Sequence, residues 1–193
     1  MSDAVKLDAP GAGLPFHENA VLRYIIFPYR SATMSNQKAL VIFDKLGREC
    51  LSIARSLNPD QLSRRVLIDR FPGIEDSSRH WSVALTIEHL LIAGQGMAGI
   101  TESLVQGITE LLEVKIQDVK PKGNIDPVVL LDSYQNLLDG FRARMTRLKG
   151  INTSTARHAH PWIGPLTARQ WLVMNAMHNG IHLHQIKEIV KGL

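Results

Sequence analysis

Three histidines lie close together in a stretch without proline, which runs from Trp171 to Ile189. Steps of three and four residues return to the same face of an α-helix, so this spacing predicts a helix with one mixed face. The imidazoles of His178 and His182 then lie one turn apart on that face, whereas His184 points away from it. The predicted face consists of Trp171, Met174, His178, His182, Gln185 and Ile189.

The pair His178 and His182 has two interpretations. Each ring could be a core histidine whose nitrogens are satisfied by hydrogen bonds, as single interior histidines usually are. Two stacked rings on one buried face are harder to satisfy, because both need partners and their protonated forms repel each other. A divalent metal binds neutral imidazoles and excludes the extra proton, so the i, i+4 spacing is also typical of a metal site.

A further histidine, His89, follows a predicted helix start after Trp81. Ser82 is a suitable N-cap, and apolar residues then recur at helical spacing. A single histidine on such a face is ordinarily a hydrogen-bonded core residue. The residues beside it are small, however, and leave room near the ring. The predicted face consists of Leu85, His89, Ile92, Ala93, Gly96 and Ile100.

The elements that must position these histidines are four long helices. Apolar residues recur at steps of three and four in each of them, and no stretch shows a convincing strand pattern. The sequence therefore predicts an all-α four-helix bundle, in which side chains of facing helices converge in the core. His89 could meet His178 and His182 there. The helices are expected near 37–57, 82–108, 127–149 and 167–191, joined by connections at 59–79, 113–126 and 151–165.

The first 35 residues read as an N-terminal arm, and residues 36–193 as the bundle domain. Glycines and Pro15 break any early element of the arm. The segment from His17 to Phe27 could form a short helix or an extended apolar segment, and Pro28 is expected to end it. Its aromatic residues, which include Tyr24 and Tyr29, predict that the arm packs on the bundle or on a second subunit.

Composition sets broad limits on function. The chain has 193 residues, a formal net charge of +4 and one cysteine, Cys50, so no intramolecular disulfide can form. Cys50 lies in a helical pattern and is expected to be a packed thiol. We find no secretory signal and no continuous apolar run long enough to cross a bilayer, which predicts a cytoplasmic protein without a membrane partner. The cluster of Arg64, Arg65 and Arg70 lacks interleaved aromatic residues, so no nucleic-acid partner is expected.

Three motifs in this order resemble the DinB and YfiT-like superfamily of four-helix metalloproteins. They are WSVALTIEHL around His89, then HPWIGPLTARQWL, then HNGIHLHQI at the closing helix. The resemblance covers roughly residues 37 to 193. It implies that His89, His178 and His182 ligate one divalent metal, for which zinc or nickel is expected. It also implies a homodimer.

The resemblance implies a metal-dependent enzyme that acts on a small molecule. The ion would activate a thiol or a water, as in thiol S-transferases that use a low-molecular-weight thiol, or in hydrolases. Gln185 and the loop residue His160 are candidate pocket residues, although His160 could equally be a solvent-exposed or hydrogen-bonded loop histidine. The contrasting hypothesis is a non-enzymatic metal-binding or stress-response scaffold. No carboxylate is obviously placed as a general base, since Glu88 lies about 100° from His89 around its helix.

Overall fold

The computed structural model describes residues 6–193 and confirms the predicted four-helix bundle. Its long helices are α3 (Asn36–Ser56), α5 (Val83–Val105), α6 (Pro127–Thr146) and α7 (Ala168–Lys191). Each begins and ends within three residues of the predicted bounds. Helix α7 packs on both α3 and α5, and α6 packs against the other side of the same pair.

Polar side chains begin the long helices by accepting hydrogen bonds from otherwise unpaired amides of the first turn. The Ser82 hydroxyl accepts from the amide of Leu85, as predicted for the start of α5. Thr167 and Gln170 form a reciprocal capping box at the start of α7. These caps fix where α5 and α7 begin, and therefore the register of the histidines that follow.

The core lies between the four long helices. The rings of Phe43 and Phe141 stack there with centroids 3.7 Å apart. Burying a large apolar side chain stabilises a fold by about 1.5–3 kcal/mol, so this packing is the main source of stability. Cys50 is fully buried in the same core, and burial raises the pKa of its thiol to about 12. Cys50 is thus the packed thiol that the helical pattern predicts.

The segment predicted as the loop 151–165 contains a β-hairpin, which corrects that prediction. Strand β3 (Arg157–His160) pairs antiparallel with β4 (Gly164–Thr167), with His160 opposite Gly164. Gly164 has a φ of +92°, a conformation that glycine adopts without strain. A second short pair joins β1 (Val66–Leu67) to β2 (His80–Trp81). Strands this short carry too few residues for an alternating pattern to be visible.

The arm is helical through Pro28, so the prediction that Pro28 ends its helix is wrong. Helix α1 (Phe16–Val21) continues through a π-helical turn, Leu22–Ile26, into α2 (Phe27–Thr33). A proline inside an α-helix lacks an amide donor and its ring collides with the carbonyl four residues earlier. The widened turn ends at Ile26, two residues before the proline, and such turns commonly accommodate this disruption.

The arm packs on the bundle, which is one of the two predicted arrangements. Phe27 and Met34 are buried, and the Arg169 guanidinium of α7 donates to the carbonyls of Ser31 and Met34. Tyr24 and Tyr29 on the other side of the arm are exposed. A short helix α4 (Pro59–Ser63) and two 3-10 turns, Asp76–Ser78 and Ile116–Val119, complete the described elements.

Helix α5 has the length and mean hydropathy, 1.4, of a membrane-spanning helix. Glu88 and His89 interrupt its apolar residues, so the sequence of α5 contains no continuous apolar run of that length. In the bundle, 67% of the apolar window is buried against other helices. The central helix of a folded core has the same composition, and the apolarity of α5 is used here for packing.

Candidate metal centre

Three imidazole nitrogens converge between α5 and α7. His178 Nε2 lies 3.1 Å from His89 Nε2 and 3.1 Å from His182 Nε2. These distances fall in the range of about 3 to 4 Å expected for nitrogens that share one ion. The three residues form the cluster of potential ligands found among residues 6–193. The structure therefore brings together all three histidines singled out in the sequence.

Helix geometry places each ring. His178 and His182 lie one turn apart on the face of α7 that packs toward α5, and His89 meets them from α5. The indole of Trp81 lies parallel to His182, with ring centroids 6.3 Å apart, and packs against this group. His184 is exposed and points away, as its position on α7 predicts.

Two of the rings are oriented by hydrogen bonds on their far sides. His89 Nδ1 lies 2.7 Å from the carbonyl oxygen of Val119, and His182 Nδ1 lies 2.7 Å from Gln185 Oε1. A carbonyl oxygen only accepts, so both Nδ1 atoms carry the ring proton and donate. Gln185 in turn donates from Nε2 to the carbonyl oxygen of Ser78 at 2.7 Å. Gln185 is thus a neighbour of the candidate site, in contact with His182.

These hydrogen bonds determine what the converging atoms can do. Because the protons of His89 and His182 sit on Nδ1, both Nε2 atoms present lone pairs toward His178. His178 Nδ1 is buried and has no hydrogen-bond partner among the described residues. The one ring proton of neutral His178 can form a good hydrogen bond with only one of the two lone pairs, that of His89 or that of His182. At least one pair of nitrogens at 3.1 Å is therefore left without a good shared proton.

Protonation of a ring does not supply the missing proton between these nitrogens. Burial lowers the pKa of His89 to about 4, although its bond to Val119 acts in the opposite direction. Burial, and then the neighbouring histidines, lower the pKa of His178 and of His182 well below the ordinary value. All three rings are neutral near pH 7, which is the form that binds metal.

The donor set fits a divalent ion. Two nitrogens each bound at about 2.0–2.1 Å to a tetrahedral ion lie about 3.3–3.4 Å apart. Both observed separations are 3.1 Å, close to that value. Neutral imidazoles suit zinc, nickel, copper or iron. The hydrogen bonds to Val119 and Gln185 are of the kind that orient ligating histidines in metal sites.

A cavity of about 330 Å³ opens onto the three rings. We call the helix-borne lining residues His89, His178 and His182 the floor of the cavity. Its roof consists of the segments 73–78, 112–120 and 160–162. Gln185, a candidate pocket residue in the sequence, contacts His182 but does not line the cavity. The cavity lies within the size range of small-molecule sites. The open side of the three-nitrogen cluster therefore faces enclosed space rather than protein atoms.

His160 lies in this cavity wall, as one of the two interpretations of the sequence expected. Its Nδ1 accepts a hydrogen bond from the amide of Trp162 at 3.2 Å, and its ring packs against that of Trp171. Burial lowers its pKa to about 4, so the ring is neutral. Since Nδ1 accepts, the proton is on Nε2. His160 belongs to the cavity but not to the three-nitrogen cluster.

The roof contains a buried ion pair that the sequence analysis missed. Lys120 Nζ lies 2.6 Å from Glu75 Oε2 and also donates to the hydroxyls of Ser77 and Ser78. Burial alone would raise the pKa of Glu75, but the bonds from Lys120, Gly13 and Ser77 lower it overall. No local spacing links residues 45 positions apart, so periodicity could not have found this pair.

Glu88 faces away from the cluster, as its angle around α5 predicts. Its carboxylate oxygens accept from the amides of Lys122 and Gly123 at 3.0 and 2.8 Å. Together with the bond from His89 to Val119, this anchors the end of the 112–120 segment to α5. Glu88 holds the roof and is not placed as a base for the cavity.

The fold and this cluster define a four-helix bundle in which facing helices present three histidines to an open cavity. The particular family follows from comparison. The model of the DinB superfamily matches residues 42–186, and the chain belongs to that superfamily. The solved four-helix bundle protein TT2238 matches with a TM-score of 0.52 and 18% identity, over 79% of this chain and 98% of that chain. This likeness shows the fold alone. A comparison with curated proteins gives no significant match.

Proposed function

We propose that His89, His178 and His182 bind one divalent metal ion, zinc or nickel, in a metal-dependent enzyme. The observation that carries this proposal is the convergence of the three Nε2 atoms, two of which present lone pairs. Membership of the DinB superfamily supports it. Three neutral imidazoles leave at least one coordination position for a substrate or water, as in catalytic zinc sites.

The proposed reaction is thiol transfer or hydrolysis. When bound, a divalent ion would lower the pKa of a coordinated thiol or water and polarise the group that it attacks. The remaining work falls to residues of the chain. The roof encloses the reacting group, and His160 Nε2 supplies one hydrogen-bond donor in the cavity wall. Glu75 is engaged by Lys120 and by the amides of Gly11 and Gly13, so it is not free to act as a base.

The metal proposal is tested by elemental analysis of protein purified without nickel resin. We expect about one ion per chain in the unaltered protein, and a loss of metal affinity by at least about a hundredfold in His182→Ala. The matched control is His184→Ala, which removes an exposed histidine of the same helix and should leave metal content unchanged. Equal metal content in both variants would refute the proposal.

The reaction class is tested with the metal-loaded protein. We would compare conjugation of low-molecular-weight thiols to electrophiles with hydrolysis of ester and amide substrates. Turnover that disappears in His182→Ala and persists in His184→Ala would support an enzyme. A metal-loaded protein whose ion exchanges no ligand and turns over no substrate would instead be the metal-binding scaffold considered in the sequence analysis.

A further inference from the structure

The walls of the cavity are almost entirely apolar. Helix α5 contributes Met97 and Ile100, α7 contributes Met174 and Met177, and the 112–120 segment contributes Val114 and Ile116. Three charged residues of that segment, Glu113, Lys115 and Asp118, are exposed. A molecule inside the cavity would therefore lie mainly against hydrocarbon.

The polar groups deeper in the walls are already paired with protein atoms. Lys120 is bonded to Glu75, Ser77 and Ser78, and the far nitrogen of His89 is bonded to Val119. Of the lining residues on the helices and at 160–162, the histidines offer ring nitrogens, three at the floor and His160 Nε2 beside Trp162. Away from the exposed charged residues of the 112–120 segment, polar contacts are thus available to a ligand only at these histidines.

We infer that this cavity binds a molecule with an apolar body and a single polar head, and that the head faces the three histidines. This names the substrate class of the proposed enzyme and rests on the proposed function for the role of the head. At about 30 Å³ for each non-hydrogen atom, as in liquid water, the volume holds about ten such atoms. A medium-length alkyl thiol or carboxylate has this size and polarity. A strongly hydrophilic thiol would bury hydroxyl or amide groups without partners.

The inference is tested by calorimetric titration of the purified protein with straight-chain carboxylates from butanoate to dodecanoate. Each added methylene should tighten binding about fourfold until the cavity is full near octanoate. Beyond that length the gain should cease. Binding of the hydrophilic thiol glutathione should be weaker than binding of octanethiol. An affinity independent of chain length, or no binding of octanoate at about 1 mM, would overturn the inference.

Larger side chains in the cavity wall should shorten the carboxylate that binds most tightly. Ala93 lines the cavity one turn from His89, and Ala93→Leu should weaken octanoate at least tenfold while sparing butanoate. The control Gln95→Leu places the same side chain on the exposed side of α5. Gly96→Leu is a second test that does not disturb packing, because a Cβ there meets no atom within 4 Å. Unchanged octanoate affinity in both cavity variants would also overturn the inference.

The metal proposal and this inference can fail separately, because the titrations are made with zinc-loaded and with metal-free protein. If binding depends on chain length but the protein binds no zinc, the apolar site is supported and the proposed metal-dependent enzyme is refuted. If the protein binds zinc but its affinity for carboxylates does not depend on chain length, the metal site is supported and the apolar substrate class is refuted.

Discussion

The floor and the roof of the cavity are built in different ways. The floor lies on two long helices, where the spacing of residues along the helix fixes the directions of His89, His178 and His182. The roof consists of irregular segments held by contacts distant in sequence, such as Lys120 with Glu75. The helices therefore fix the positions of the donor atoms, and the loops determine which molecules can approach them.

Three hydrogen bonds form two connections between these regions. His89 donates to Val119 of the roof, and Gln185 links His182 to the carbonyl of Ser78. The bonds of His89 to Val119 and of His182 to Gln185 also select which nitrogen of each ring carries its proton. The roof therefore contributes to the floor at these two points, and elsewhere the regions should respond separately to mutation.

The largest expected effect comes from removing the floor residue on α5. His89→Ala should lower metal affinity at least about a hundredfold and leave the helical circular dichroism unchanged, because apolar packing supplies most of the stability. Competition with a chromophoric chelator measures the affinity. The control His80→Ala removes an exposed histidine of β2. A small loss in His89→Ala would mean that the α7 pair binds the ion without α5.

Gln185 tests the connection between the regions. Gln185→Ala removes the acceptor for His182 and should weaken metal binding about 10- to 100-fold, which is the usual cost of losing such a partner. Gln185→Glu keeps that acceptor but loses the donor to Ser78. Gln185→Glu should bind metal more tightly than Gln185→Ala does. It should also unfold at a lower urea concentration than the unaltered protein. Equal metal affinity in the two variants would contradict this account of Gln185.

A change confined to the roof should affect stability more than metal binding. Lys120→Met leaves the buried Glu75 without its cation and should lower the free energy of unfolding by about 2 kcal/mol. Metal affinity should stay within about threefold, since Lys120 bonds to none of the three rings. Urea unfolding measures the first quantity. The matched control is Lys122→Met, at an exposed position two residues away. A metal loss as large as that of His89→Ala would remove the distinction between floor and roof.

The smallest expected effect comes from deleting the start of the arm, residues 1–13. The amides of Gly11 and Gly13 donate to Glu75, so a chain without residues 1–13 loses bonds that hold the 73–78 segment. Hydrogen exchange should become faster in that segment and stay unchanged in α7, which serves as the control within the same sample. Faster exchange throughout α7 would show that the arm supports the whole bundle.

The sequence predicted those parts of the molecule that depend on local periodicity. The four helices and the common face of His178 and His182 follow from spacing alone, and the cap Ser82 follows from its residue type at a helix start. The placement of His89 opposite them follows from its buried face, and its expected role as a ligand came from the family resemblance. Gln185 was predicted to lie near the candidate site, although its bond to Ser78 was not foreseen.

The remaining features depend on contacts that local patterns do not show. The β3–β4 hairpin is too short for a strand signal, and Pro28 continues a helix that includes a π-turn. The pair of Glu75 and Lys120 forms only when the roof folds over α5. Sequence alone therefore predicted the floor better than the roof, which is the part that shapes the cavity.

The central claim, that helices α5 and α7 together supply three imidazole ligands to one ion, is tested most directly by X-ray absorption spectroscopy of the zinc-loaded protein. The account predicts three imidazole nitrogens at about 2.0–2.1 Å from the metal. It also predicts that one of these three is lost in the spectrum of His89→Ala. A spectrum with two or fewer imidazoles, or one that His89→Ala leaves unchanged, would contradict the account.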